Sequence, residues 1–179
     1  MSGNEITINK KPHEIRIGDI GFARTNGVMG KIIRAGEWLK WRSCEFNHTF
    51  TVVSTTGFTY DDIWIVQAEL RGVTLRRLSE LLPNASEIHL VAPPKGTEPK
   101  NIALFALAQL GSPYGLMTIA CLVLDITTPD WFVAFRRERT WICSALSAEA
   151  CRYAGWYNDF PDIYIVSPTG LWKAFQSRK

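Results

Sequence analysis

Residues 141–151 read WICSALSAEAC, and this stretch decides the fold prediction because it predicts a helix that begins at a cysteine. Gly155 marks the end of that helix. A thiol at a helix N-terminus ionises more readily, since the helix dipole and unpaired backbone N–H groups favour the thiolate. Cys143 is therefore the candidate nucleophile, and a histidine close to it would complete a nucleophile–base pair.

The rest of the chain divides into a half rich in strands and a half rich in helices. A helical pattern over residues 30–41 interrupts the predicted strands, which lie at residues 18–24, 46–53, 63–69, 72–75 and 87–91. From Glu98 onward the pattern is helical, with segments that end at Gly111, cover residues 116–124, follow Cys143, and begin near Pro168. This order predicts one α+β domain over residues 1–179 with an antiparallel sheet, and a loosely ordered segment at residues 1–14.

Composition narrows the class of protein. The chain has 179 residues, is 46% hydrophobic and carries a formal net charge of +3. This fits a globular domain with a sizeable core. The basic residues form short clusters interleaved with apolar residues, a pattern typical of solvated or structural faces. A dense nucleic-acid-binding stripe is absent from the sequence, so no nucleic-acid partner is expected.

The sequence predicts no metal site, no disulfide bond and no membrane-spanning segment. The four cysteines show no CxxC pair and no metal-ligand spacing with the histidines, so reduced thiols without a metal or other cofactor are expected. The longest apolar run, residues 116–126, is too short to span a bilayer and contains Asp125. The first residues lack the apolar core of a signal peptide. We expect a cytoplasmic protein, or one delivered by another route such as a phage particle or a secretion system.

Period-two alternation identifies the candidate base. In residues 46–53, FNHTFTVV, alternation places Phe46, His48, Phe50 and Val52 on one strand face, so His48 is expected to point toward the core. If this strand pairs antiparallel with residues 63–69, IWIVQAE, one register sets Val52 opposite Ile63. The same register sets His48 opposite Gln67, close enough for the amide to hydrogen-bond the imidazole.

Each catalytic role then has a candidate. Cys143 is the nucleophile, and His48 takes the thiol proton and later protonates the leaving group. The Gln67 amide oxygen fixes the imidazole tautomer, and the backbone N–H of Cys143 donates to the oxyanion. Tyr114 and Ser144 are candidates for oxyanion or substrate-binding contacts.

Some further residues are alternatives for these roles, and others have an expected role outside the site. The alternatives for the orienting position are Glu69 and Asp62. For Cys44, Cys121 and Cys151 the sequence favours a packing role over chemistry. Asp19 is expected to support a turn.

The order of these residues carries a family resemblance. His48, then Gln67, then Cys143 in an Ile-Cys-Ser-x-Leu context resembles the circularly permuted branch of the NlpC/P60 papain-like superfamily. The similar segments are Gly18-Asp19-Ile20, Val66-Gln67-Ala68-x-x-x-Gly72-Val73, Gly111-Ser112-Pro113-Tyr114-Gly115 and Ser167-Pro168-x-x-Leu171-Trp172. They extend from Gly18 to about Phe175. The permuted members often have an acidic residue at the position of Gln67.

The resemblance implies a papain-like fold in which the cysteine helix packs against a sheet that carries the histidine. It also implies acyl transfer through a thioester intermediate. The superfamily includes peptidoglycan endopeptidases, amidases, and lipid-directed acyltransferases or thioesterases. We expect a cysteine hydrolase that cleaves an amide bond, with a peptide or peptidoglycan fragment as its substrate.

Two other functions stay open at this point. In the first, the same triad acts on an acyl lipid or a thioester, with residues 116–124 lining an acyl-binding groove. Alternatively the domain has a structural role in a larger assembly such as a phage particle, with Gln67 marking a weak or inactive site. A glutamine orients an imidazole but stabilises an imidazolium less than a carboxylate does.

Overall fold

The described part of the chain forms a six-stranded sheet with three α-helices on one face and a fourth, single-turn helix on the other. The structure is a computed structural model, and it describes residues 6–27, 30–31, 44–115, 140–156, 163 and 166–177. The strands are β1 Thr7–Ile8, β2 Ile20–Thr25, β3 His48–Thr55, β4 Ile63–Glu69, β5 Gly72–Arg77 and β6 Ala85–Val91. Their order in the sheet is β1-β6-β2-β3-β4-β5. The α+β class is confirmed.

Four α-helices are assigned within the described residues. They are α1 Leu78–Leu81, α2 Pro99–Ala108, α3 Cys143–Tyr153 and α4 Pro168–Gln176. The predicted helix ends hold: Gly111 and Gly155 have positive φ angles of 79° and 103°, which a glycine adopts without steric cost. Ser167 caps α4 by accepting a hydrogen bond from Gly170 N at 3.0 Å. None of the described helices is both long and apolar enough to cross a bilayer.

Alternation along the strands gives the sheet two apolar faces. The helix-side core joins one face to α2, α3 and α4, and includes Ile20, Phe22, Val66, Ala68, Ala103, Ala106, Leu146, Ala148 and Leu171. The far-side core covers the other face, and includes Ile15, Phe50, Val52, Ile63, Ile65, Leu78 and Ile88. Because α3 packs on one face of β3 and β4, its first residue lies beside the strand that begins with His48.

Two sequence expectations about the sheet need correction. The sheet is antiparallel except at its edge, where β1 pairs parallel to β6. The strand containing the histidine begins at His48. Phe46 precedes it, so the alternation of side chains along the strand does not apply to Phe46. Phe46 packs in the helix-side core, with its ring centroid 4.9 Å from that of Trp172, whereas Phe50 lies in the far-side core. The expectation that Phe46 and Phe50 share a face was therefore wrong.

Some predicted features lie outside the described residues. These are most of the helical pattern at 30–41, the apolar segment 116–126 with Cys121, and residues 1–5. The remainder of the predicted N-terminal segment is tied to the sheet: the Asn9 side chain donates to Leu90 O at 3.0 Å, and Lys10 Nζ lies 2.6 Å from Asp19 Oδ2. Asp19 also accepts from Arg16 N at 3.0 Å, which fits its predicted role in a turn.

Candidate active site

The structure brings the thiol of Cys143 and the imidazole of His48 into hydrogen-bond contact. Cys143 is the first residue of α3 and is only 3% exposed, while His48 is the first residue of β3 and is partly exposed. A side chain at the very start of a strand is less confined by neighbouring rungs of the sheet. This position lets His48 contact α3 on one side and β4 on the other.

The thiol of Cys143 is surrounded by groups that favour its ionised form. Burial alone raises its pKa, but the hydrogen bond and positive charge of His48 lower it. Backbone hydrogen bonds from Thr49 and Ser144 lower it further, and the net result is a Cys143 pKa below its ordinary value. Ile142, at the N-cap of α3, makes no side-chain cap. No N-cap side chain thus competes with the sulfur for the first N–H groups of α3.

The pKa of His48 shifts in the opposite direction to that of Cys143. Removal of the ring from water lowers its pKa, but the hydrogen bond and negative charge of Cys143, followed by Gln67 and Glu69, raise it above its ordinary value. A lowered thiol pKa together with a raised imidazole pKa widens the pH range in which a thiolate–imidazolium pair exists. The pair has the electrostatics of a nucleophile and its acid–base partner.

Gln67 orients the ring. Its Oε1 atom lies 2.7 Å from His48 Nε2, and the residue is 1% exposed. Because an amide oxygen only accepts, Nε2 carries the proton of this hydrogen bond and donates it. Nδ1 is then the nitrogen left to face Cys143. The predicted contact between His48 and Gln67 is present.

The strand register that produces this contact differs from the predicted one. Val52 pairs with Ile65 rather than Ile63, because β3 continues to Thr55, which pairs with Ile63, and a β-bulge lies between Val52 and Ser54. Because the slip is of two residues, His48 and Gln67 remain on the same face of the sheet. By extension Gln67 lies diagonal to His48 rather than directly opposite, still within reach of a long side chain.

A carboxylate stands behind the amide. Gln67 Nε2 donates a short hydrogen bond to Glu69 Oε1, and the other Glu69 oxygen lies 3.4 Å from Arg76. Arg76 is also paired with Glu80 at 3.2 Å, and the negative charge of Glu69 raises the Arg76 pKa. The amide thus passes a hydrogen bond from the imidazole to Glu69, whose charge raises the His48 pKa. Glu69 acts through Gln67 and not in its place.

Asp62, the other alternative for the orienting role, lies elsewhere. Its Oδ2 atom accepts hydrogen bonds from the Thr59 N–H at 3.0 Å and from the Thr59 hydroxyl at 2.9 Å. Cys151 is buried farther along α3, where burial raises its pKa. The thiol of Cys44 donates to Phe46 O at 3.6 Å. Cys143 is distinguished from these two thiols by its partners.

Packing of α3 on β3 fixes the distance between nucleophile and base. One helical turn after Cys143, the Ser147 hydroxyl donates to Thr49 Oγ1 at 3.2 Å, and both residues are buried. Thr49 follows His48 directly. Two contacts one turn apart therefore lock the position of the helix along the strand, and the small side chains of Ala145 and Ala148 permit the close approach.

Ser144 contributes through its backbone rather than its side chain. Its hydroxyl is fully buried and donates to Val166 O at 2.6 Å, on the segment that leads into α4. Its N–H group hydrogen-bonds the Cys143 sulfur. The structure thus directs the hydroxyl of this predicted oxyanion or substrate-binding candidate away from the thiol.

We predict that Ser144→Ala lowers the free energy of unfolding by about 1–3 kcal/mol, because it leaves the Val166 carbonyl without its buried donor. The reactivity of Cys143 toward iodoacetamide is expected to change less than twofold, since the backbone donor is retained. Urea unfolding and alkylation kinetics measure the two effects. Loss of reactivity with unchanged stability would contradict this assignment.

Tyr114 is placed beside the thiol by a short backbone bridge. Trp141 N donates to Pro113 O and Gly115 N donates to Trp141 O, both at 3.0 Å. Burial, and then the negative charge of Cys143, raise the pKa of the Tyr114 phenol, which therefore stays protonated. The structure brings this predicted candidate to the site.

A pocket of about 390 Å³ opens beside the base. His48 and Tyr114 both line it, together with Glu69, Arg71 and Arg76 from the β4–β5 hairpin. Cys143 is not among the residues that line it, but His48 and Tyr114, the two lining residues whose pKa values respond to Cys143, connect the pocket to the thiol.

The sequence missed two contributors. Arg76 belongs to one of the short basic clusters expected on solvated or structural faces, although it shares a hairpin face with Gln67 and Glu69. The two-residue connection between β4 and β5 fixes that register and was the available signal. Thr49 was missed because it contributes a backbone N–H, a group that nearly every residue has and that the sequence therefore does not single out.

The comparisons with known proteins add no relative. No protein-family model matches the chain, and no curated protein matches it significantly. The candidate site therefore depends on the geometry of Cys143, His48 and Gln67 and on the resemblance of their sequence motifs.

Proposed function

We propose that the protein is a papain-like cysteine hydrolase that cleaves an amide bond, most readily in a peptide of the peptidoglycan type. The observation that carries the proposal is the contact of Cys143 with a histidine whose other ring nitrogen is held by Gln67. A helix that begins at the nucleophile and packs on a sheet bearing the base is the arrangement that the NlpC/P60 resemblance implies.

The residues support a two-step acyl transfer. The Cys143 thiolate attacks the carbonyl carbon, and the His48 imidazolium gives its proton to the amine, which leaves as the C–N bond breaks. In the second step His48 takes a proton from water as the hydroxyl attacks the thioester. The products are a carboxylic acid and the regenerated thiol. Backbone N–H groups at the start of α3 support an oxyanion at the attacked carbonyl.

The Gln67–Glu69 pair argues against the alternative that the domain is an inactive structural module. A glutamine by itself stabilises an imidazolium weakly, but here the amide is polarised by Glu69, whose charge raises the His48 pKa. The alternative of a lipid-directed enzyme relied on residues 116–124, which lie outside the described residues. The polarised amide favours an active enzyme over the inactive module, and turnover of the two substrate classes decides between the hydrolase and the lipid-directed enzyme.

We predict that wild-type protein forms an acyl adduct on Cys143 and turns over soluble muropeptides. Intact-mass spectrometry after rapid acid quench detects the adduct, and amine release reports turnover. A p-nitrophenyl fatty acyl ester tests the lipid-directed alternative in parallel. Faster turnover of the ester would favour that alternative.

Two alanine variants on the same helix provide the control. Cys143→Ala is expected to lose the adduct and turnover, whereas Cys151→Ala removes a buried thiol outside the site and is expected to retain both. If wild type acylates no faster than Cys143→Ala with either substrate, the proposal is wrong and the structural role is favoured.

A further inference from the structure

The pocket beside His48 carries an arginine that has no partner among the described residues, and we propose that this residue, Arg71, binds a carboxylate of the substrate. The proposal rests on the proposed function and specifies its substrate class. An acyl substrate with a negatively charged group a few bonds from the attacked carbonyl would lie along the pocket. Its carboxylate would then meet the Arg71 guanidinium.

The charges that line the pocket are unequally compensated. Glu69 is engaged by Gln67 on one oxygen and by Arg76 on the other. Arg76 lies between two carboxylates, those of Glu69 and Glu80. Arg71 is exposed and makes no hydrogen bond or ion pair with any residue of the described ranges. Among the described residues that line the pocket, Arg71 is thus the cation left available to a negatively charged ligand.

The position of Arg71 is fixed by its hairpin. It is the second residue of the two-residue connection between β4 and β5, directly before Gly72. Gly72 has a φ of 110°, and a Cβ there would lie 2.7 Å from Ser112 O. Val73 N donates to Ser112 O at 2.9 Å. The hairpin is thus held against the loop that carries Tyr114, and the Arg71 backbone stays at the rim.

Asn47, a buried polar side chain that lines the pocket, already has hydrogen-bond partners in the protein. Asn47 is 1% exposed, and its Oδ1 accepts from Thr25 N at 2.8 Å. Its Nδ2 donates to Thr25 O at 2.9 Å and to Gly30 O at 3.1 Å. Asn47 therefore shapes the wall and has little capacity left for a ligand. A guanidinium fork, by contrast, pairs with both oxygens of a carboxylate.

Alkylating probes of graded length test the proposal. The probes are iodoacetyl derivatives of glycine, β-alanine and γ-aminobutyrate, each as the free acid and as its carboxamide. In each reaction the Cys143 thiolate forms an S–C bond and displaces iodide. The rate is followed at Cys143 by peptide mass mapping. The ratio of acid to carboxamide rates isolates the effect of the carboxylate from the reactivity of the thiol.

At one or more probe lengths we expect wild type to show an acid-to-carboxamide ratio about three- to tenfold above that of Arg71→Met. Arg16→Met is the matched control, since it removes the same charge from an exposed arginine outside the pocket. It should keep the wild-type ratio. Added salt should lower the ratio in wild type and leave that of Arg71→Met nearly unchanged.

Equal ratios in wild type and Arg71→Met at every length would overturn the proposal, as would an equal loss in Arg16→Met. The proposed function has a separate readout in the same data, the rate of the neutral carboxamide probes in wild type against His48→Ala. If those rates are equal, the nucleophile–base pair fails. A lower acid-to-carboxamide ratio in Arg71→Met, together with slower carboxamide alkylation in His48→Ala, supports both the role of Arg71 and the proposed function.

Discussion

Replacing His48 with alanine is expected to lower hydrolytic turnover by about 10²- to 10⁴-fold, the range contributed by a positioned general acid–base. The variant loses the acceptor of the thiol proton and the donor to the leaving amine. Cys143 then retains only its backbone donors from Thr49 and Ser144. Turnover of the acylating substrate measures the loss.

The pH dependence of Cys143 alkylation separates lost catalysis from a general structural defect. In wild type the lowered pKa of Cys143 keeps the thiolate populated at a lower pH than for an ordinary thiol, so the rate falls only as pH drops through that lowered pKa. In His48→Ala burial acts without the compensating imidazole. The Cys143 pKa then rises, and the whole rate profile moves to higher pH.

At pH 6 this shift should slow alkylation by about 10- to 100-fold, less than the change in thiolate fraction because a more basic thiolate is more nucleophilic. His89→Ala is the matched control, since His89 lies on β6 against Phe46 and Trp172. It should leave the profile in place. A His48→Ala profile that overlays wild type would show that the two side chains do not form a primed pair.

Introducing a carboxylate at the orienting position is expected to weaken the enzyme. Gln67 uses both ends of its amide, accepting from His48 and donating to Glu69. Gln67→Glu removes the donor and sets a buried carboxylate against that of Glu69, whose side chain is 31% exposed, so one of them must take up a proton or move. We expect a fall in kcat/KM of about 5- to 150-fold, equivalent to a buried polar group left unsatisfied at about 1–3 kcal/mol.

The double variant Gln67→Glu/Glu69→Gln tests the reason for that fall. It exchanges amide and carboxylate along the chain of hydrogen bonds, so the imidazole again has an acceptor and the two side chains again form a donor–acceptor pair. Most of the activity should return, with Arg76 still held by Glu80. If Gln67→Glu alone is as active as wild type, the amide is not required between His48 and Glu69.

The sequence was most informative where local chemistry dictates structure. Gly111 and Gly155 end helices because a positive φ suits glycine, and Pro168 after Ser167 starts one. The face shared by His48 and Gln67 follows from the period of two in a strand, which survives a register slip of two residues. The residue types and their approximate positions at the site were thus predictable.

The register, the charge behind the amide and the pocket were not predictable in the same way. A bulge near Val53 moves the pairing of β3 with β4, and bulges depend on how a strand bends within its sheet. Glu69 was considered as a direct partner of the imidazole, but only the fold places it behind Gln67. Arg71 and Arg76 look alike in the sequence, yet one is paired twice and the other is unpaired within the described residues.

The sequence by itself determined which helix begins at Cys143 and which strands carry His48 and Gln67, because capping and alternation are local. Only the tertiary structure decided that the sulfur meets the imidazole. That contact requires α3 to settle at one position along β3, which is fixed by the buried pair Ser147–Thr49, two residues 98 positions apart in the chain. Long-range packing of this kind has no signature in any single segment.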